Sequence, residues 1–212
     1  MEEHGYLHDL KFLVVDDSPF MRELLCDVLR HFDVRNVHEA ADGSEALSVM
    51  LAWTPDIILL DWEMTPFDGI ELTRLVRSSE QGDEKFIPII MVSAHSEYWR
   101  IQQARNAGVN EFLAKPLSPK ALFSRIRAVI ERPRPFIKAP GYFGPDRRRH
   151  DMGHDDERRK DGAQAVEVHK PQPDKPAIPA DQAMKQDQIN AIFNPGSEHP
   201  DDQVNEHDEP AV

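Results

Sequence analysis

The sequence predicts an α/β domain over residues 9–132, a parallel sheet of five short strands with helices on both faces. Two observations carry this. Apolar runs at Phe12–Val15, Ile57–Leu60, Ile89–Val92 and Phe112–Ala114 are rich in β-branched and aliphatic residues, as strands buried on both faces are. Helix-length segments with cap and breaker residues lie between them, which is the alternation that builds a parallel sheet. A third observation locates the chemistry. Each run ends in a distinctive polar residue: Asp16-Asp17, Asp61, Ser93 and Lys115-Pro116. In an open α/β sheet, ligands gather beyond the carboxyl ends of the strands, so these positions meet in one crevice.

The elements follow in order. The first strand is Lys11–Val15, and Pro19 then opens a helix at its first turn, where a missing N–H costs nothing. Leu24, Leu25, Val28 and Leu29 give that helix an apolar face. A short second strand falls near Val34–Glu39. Asp42 and Gly43 introduce a helix over Ser44–Trp53, stopped before Pro55. The third strand, Ile57–Leu60, leads through a turn at Met64–Gly69 into a helix over Ile70–Ser79. Strand four is Ile87–Val92, followed by a helix over Glu97–Ala107 that Gly108 closes. Strand five is Glu111–Ala114, and Ser118-Pro119 starts a helix running to Glu131.

The composition changes near Arg132. Of 17 prolines, 11 fall in residues 133–212, where large aliphatics are rare. Residues 133–160 hold 8 basic and 5 acidic side chains, and residues 161–212 hold 3 and 11. The first stretch reads as a basic, aromatic linker or docking segment around Tyr142-Phe143-Gly144-Pro145-Asp146-Arg147-Arg148-Arg149. The second reads as a mostly disordered acidic tail, because low hydrophobicity cannot offset the entropy of ordering. Met184, Ile189, Ile192 and Phe193 allow one short amphipathic helix there, and equally a coil. The net charge of −13 argues against general polyanion binding. The lone Cys26, in an apolar helical pattern, reads as buried filler in a reducing, cytoplasmic setting. No stretch of about 20 apolar residues is present to span a membrane, and no signal-peptide pattern opens the chain.

Three carboxylates, a hydroxyl and an ammonium suit the holding of a phosphoryl group on an aspartate. That task needs a carboxylate able to attack in line, a divalent cation to offset charge, and donors for the phosphoryl oxygens. Asp61, ending the central strand, is the candidate phosphoacceptor. Asp16 and Asp17 beside it repel, and a hard cation such as Mg²⁺ relieves this. Ser93 and Lys115 are the candidate phosphoryl-binding donors, and Pro116 is a candidate cis peptide that turns the lysine inward. Singly, each feature is common: an Asp-Asp pair is usually a solvated turn or a cap. Their conjunction at successive strand ends is specific.

These residues carry a family resemblance. The run Phe-Leu-Val-Val-Asp16-Asp17, the segment Leu-Leu-Asp61-Trp62-Glu63-Met64 with Pro66 and Asp68-Gly69, the Ser93-Ala94 pair and Lys115-Pro116 resemble the receiver domain of two-component response regulators. The likeness is greatest to the chemotaxis, CheY-like, single-domain receivers. It implies a flavodoxin-like fold with strand order 2-1-3-4-5 and a phosphoryl group passed to Asp61 from a histidine kinase, a phosphotransfer protein or a small phosphodonor. It also implies Asp17, Asp61 and the backbone carbonyl of Glu63 as metal ligands, with Asp16 acting through water. It further implies a switch in which Ser93 and Phe112 move and remodel the face of the fourth helix, fifth strand and fifth helix, where an output protein docks. Glu63 and His95 hold the positions that tune loss of the phosphoryl group in receivers. The resemblance describes a phosphorylated signalling protein and not an enzyme in the usual sense. Three rival readings exist, and the intact constellation argues against one of them, a pseudo-receiver that never takes phosphate. A phosphatase with an aspartyl-phosphate intermediate carries Asp where Glu63 stands. A nucleic-acid-binding regulator acting through residues 134–160 would need a reading module, and none is visible.

Overall fold

The computed structural model describes residues 7–79, 83–147 and 164–166. Five parallel strands run β1 (Lys11–Val15), β2 (Asn36–Ala40), β3 (Ile57–Asp61), β4 (Ile89–Ser93) and β5 (Glu111–Ala114). Their spatial order is β2-β1-β3-β4-β5, the flavodoxin-like order. The connecting helices are α1 (Pro19–His31), α2 (Gly43–Ala52), α3 (Gly69–Ser78), α4 (Tyr98–Ala107) and α5 (Pro119–Glu131). Boundaries match the sequence reading to within two residues, because the caps that end each helix are local. Ser18 and Ser118 accept from the amides of Met21 and Ala121, Asp42 from Ser44 and Glu45, and Asp68 and Glu71 form a reciprocal capping box.

Alternation along the strands divides the core in two. Phe12, Val14, Leu59, Ile90 and Leu113 face α1 and α5 with Leu29, Phe32 and Ile126. Leu13, Val15, Ile58, Leu60 and Met91 face the other helices with Ala46, Ile70, Val76 and Ala104. Strands buried on both faces have no polar side, which is why they read as continuous apolar runs. No helix among the described residues is long and apolar enough to cross a membrane.

The segment after α5 differs from a linker. Strands β6 (Phe136–Ala139) and β7 (Tyr142–Pro145) form an antiparallel hairpin about Pro140-Gly141, and β8 (Gln164–Val166) pairs with the other edge of β6. Phe136 is buried, and its ring meets those of Phe86 and Phe143 at 5.3 and 5.6 Å. β8 places ordered backbone at the start of the stretch read as disordered, and the rest of that reading, with the amphipathic segment, lies outside the described residues. The signal was present: a Pro-Gly pair flanked by aromatic residues marks a turn between strands. The density of proline and arginine obscured it.

Candidate functional site

The sheet register brings the strand-end residues level. Val15 pairs with Leu60, Asp61 with Val92, and Ser93 with Ala114, so Asp16, Asp61, Ser93 and Lys115 emerge along one edge. Gly69 lets the following turn fold tightly over this edge. A Cβ there would lie 2.2 Å from the carbonyl oxygen of Asp61, and the Gly69 amide donates to the carbonyl of Trp62 at 2.9 Å. The Asp68-Gly69 pair thus supplies both a helix cap and close backbone approach to the central aspartate.

Asp16 and Asp61 are buried and Asp17 is exposed, and carboxylate oxygens from all three lie within 4.8 Å of one another. The Lys115–Pro116 peptide is cis, and the ammonium of Lys115 donates to Asp61 Oδ1 at 2.8 Å and to Asp16 Oδ2 at 3.1 Å. Burial is the largest influence on Asp61 and raises its pKa; the Lys115 hydrogen bond opposes this, the charge of Asp16 adds to it, and the net is a rise. Burial alone would lower the pKa of Lys115, but its bonds to Asp61 and Asp16 outweigh that and raise it. One ammonium therefore faces three carboxylates, and the deficit of positive charge suits a hard divalent cation. Oxygen-only donors, two of them buried, fit Mg²⁺.

Ser93 is buried, and its Oγ accepts from the backbone N–H of His95 at 3.1 Å. The Glu63 carboxylate turns away from the aspartates. Its Oε1 meets His95 Nε2 at 3.0 Å and accepts from Arg100 Nη1 at 3.1 Å. Arg100 also stacks over Trp62 and Trp99, at 5.4 and 5.0 Å. Arg100 was not foreseen, since only folding brings α4 beside the residue after β3. Phe112 is half-buried and meets the buried Trp62 edge-on at 6.4 Å. It stands beside the cluster and not in it.

The decisive comparison is with the response regulator receiver domain, which the chain matches over residues 12–127. The chain belongs to that family. Among curated relatives it is 36% identical over 123 residues to the chemotaxis protein CheY of Pseudomonas aeruginosa, covering 58% of this chain and 98% of that one. It is 32% identical over 124 residues to CheY-3 of Vibrio cholerae, covering 58% and 94%. Among solved structures, CheY4 of Vibrio cholerae superposes with a TM-score of 0.53 at 32% identity, covering 57% of this chain and 98% of that one. CheY in the CheX–CheY–BeF3–Mg+2 complex of Borrelia burgdorferi gives 0.53 at 27% identity, covering 57% and 88%. The protein is therefore a two-component regulator of CheY type with an added C-terminal region.

Proposed function

We propose that Asp61 accepts a phosphoryl group in a Mg²⁺-dependent reaction and that the chain signals through phosphorylation-dependent protein contacts or passes the group on in a relay. The observation that carries this is the Lys115 ammonium bonded to both Asp61 and Asp16 beside a third carboxylate. Asp17, Asp61 and the backbone carbonyl of Glu63 would hold the cation, with Asp16 beside them. When bound, the cation offsets the charge shared by the carboxylates and the phosphoryl oxygens.

The chain's own residues do the rest. The Asp61 carboxylate is the nucleophile: one oxygen bonds to phosphorus as the bond from phosphorus to the donor's histidine nitrogen, or to the acetate oxygen of acetyl phosphate, breaks and the donor departs with that electron pair. Lys115 sits within reach of a phosphoryl oxygen on Asp61, and Ser93 donates its hydroxyl to another. For that, Ser93 turns its Oγ from the His95 amide toward Asp61. Phe112 then leaves the edge of Trp62, which alters the surface of α4, β5 and α5. A histidine kinase or phosphotransfer protein is the donor, and an output protein reads that surface. The solved Borrelia relative is a CheX–CheY–BeF3–Mg+2 complex, which supports Mg²⁺ as the cation here. Glu63 and His95, tied to each other and to Arg100, set access of water to the phosphoryl group.

The test is intact mass after incubation with acetyl phosphate and Mg²⁺, with Asp61→Asn alongside. Gain of one phosphoryl group by the wild type alone is expected. Equal gain by the variant would overturn the assignment of Asp61.

A further inference from the structure

A cavity of about 590 Å³ opens between α4, β5, α5 and the segment beyond α5. This volume is in the ordinary range for small-molecule sites. Its lining holds four guanidinium groups, Arg105, Arg125, Arg134 and Arg147, against one carboxylate, Glu111. In a chain of net charge −13, an excess of three positive charges in one concavity runs against the composition. Two of the four arginines, Arg134 and Arg147, come from the region beyond the receiver match.

The guanidiniums are positioned but far from saturated. Glu111 accepts from Arg125 at 3.2 Å with one oxygen and from Arg134 at 3.3 Å with the other, which sets two forks side by side. Arg147 donates to Asn106 at 2.8 Å and stacks 4.2 Å over Tyr142, and Arg105 donates to Gln102. The Arg105 Nε is buried without a hydrogen-bond partner. A guanidinium carries five N–H donors, so most of those in the cavity are open to a ligand. Planar forks match phosphate oxygens in pairs. Ile101, Val109 and Phe112 add an apolar wall, so the space holds more than an inorganic ion.

We propose that this cavity binds a small organic polyphosphate of about nucleotide size, its phosphates on the four arginines and its organic part against Ile101, Val109 and Phe112. A diphosphate carries about the charge that the arginines leave uncompensated. The cavity stands apart from the strand-end carboxylates, and it shares Phe112 and the α4–β5–α5 face with the switch proposed above.

The test is calorimetric titration of the full chain, with Mg²⁺ removed by chelation, using ADP, GDP, inorganic pyrophosphate, inorganic phosphate and a polyglutamate peptide. Either nucleotide is expected to bind, more tightly than inorganic phosphate. Arg105→Gln and Arg147→Gln should each weaken binding roughly tenfold or more, as loss of a charge-assisted hydrogen bond does. Arg147 is exposed, so its replacement leaves the fold intact. As a readout needing no variant, nucleotide should shift the wild-type amide resonances of α4 and β5. The proposal fails if neither nucleotide binds, if affinity is the same in both arginine variants, or if polyglutamate alone binds.

Discussion

The two ends of the central sheet each bury a cation, and they do so in opposite ways. At the carboxyl end, Lys115 is held by two carboxylates, with a third beside them. At the amino end, the fully buried guanidinium of Arg77 has no carboxylate among its hydrogen-bond partners. It donates to the carbonyls of Gly108, Lys85 and Ile87 at 3.0, 2.8 and 2.9 Å and to Asn110 Oδ1 at 2.9 Å, and Phe136 lies over it at 5.1 Å. Burial pushes Arg77 down to about 9, still charged at neutral pH. Neutral acceptors in fixed backbone satisfy a charge permanently. Carboxylates in excess leave net negative charge beside the ammonium. The first arrangement locks the loops before β4 and β5 and docks the hairpin.

The largest effect should come from breaking the lock. Arg77→Ala takes their donor from the carbonyls of Gly108, Ile87 and Lys85, while Asn110 Oδ1 keeps the Ile89 amide, and is expected to cost roughly 3–5 kcal/mol in urea unfolding. A loss below about 1 kcal/mol would mean the amino end is not held this way. Phe136→Ala removes the ring over Arg77 and should cost about 3 kcal/mol. The folded variant should still take up phosphate from acetyl phosphate, because the two ends are separate.

Asp61→Asn should act with the opposite sign. The pKa of Asp61 is raised in the fold, so its proton contributes stability at low pH that is lost as pH rises through the raised value. At neutral pH without Mg²⁺ the variant should therefore melt roughly 2–4 °C higher than wild type, and the gap should narrow as pH falls. A lower melting temperature would show that Lys115 stabilises the ionised carboxylate more than burial opposes it. The smallest effect belongs to the half-exposed Glu63–His95 pair. His95→Ala should change stability by less than about 1 kcal/mol while altering the decay of the phosphorylated form, measured by loss of the phosphoryl mass.

Much of this was legible in the chain. The strands and the four strand-end positions stand out because each depends on local residues: apolar runs, caps, and turns before helices. The convergence of Asp16, Asp61 and Lys115 follows from topology alone, since parallel strands put their carboxyl ends together. What stayed hidden depends on distant contacts. Nothing near Arg77 says that it will be swallowed whole, and nothing near Arg100 points to Glu63. The hairpin was obscured because its apolar content is small and becomes a core only against Phe86, a residue contributed by the turn before β4.

Gly108 and Gly144 carry one more consequence. A Cβ on Gly144 would stand 2.9 Å from the Gly108 Cα, so the hairpin's backbone rests directly on the end of α4. The working boundary of the domain is therefore not where α5 ends. A protein cut after Arg132 would keep every residue of the strand-end carboxylate cluster and still uncover Arg77, Phe86 and the end of α4. Any difference in signalling between such a cut protein and the whole chain would mix lost function with lost stability. A cleaner comparison keeps the chain through Val166, the end of β8, and changes what lies beyond.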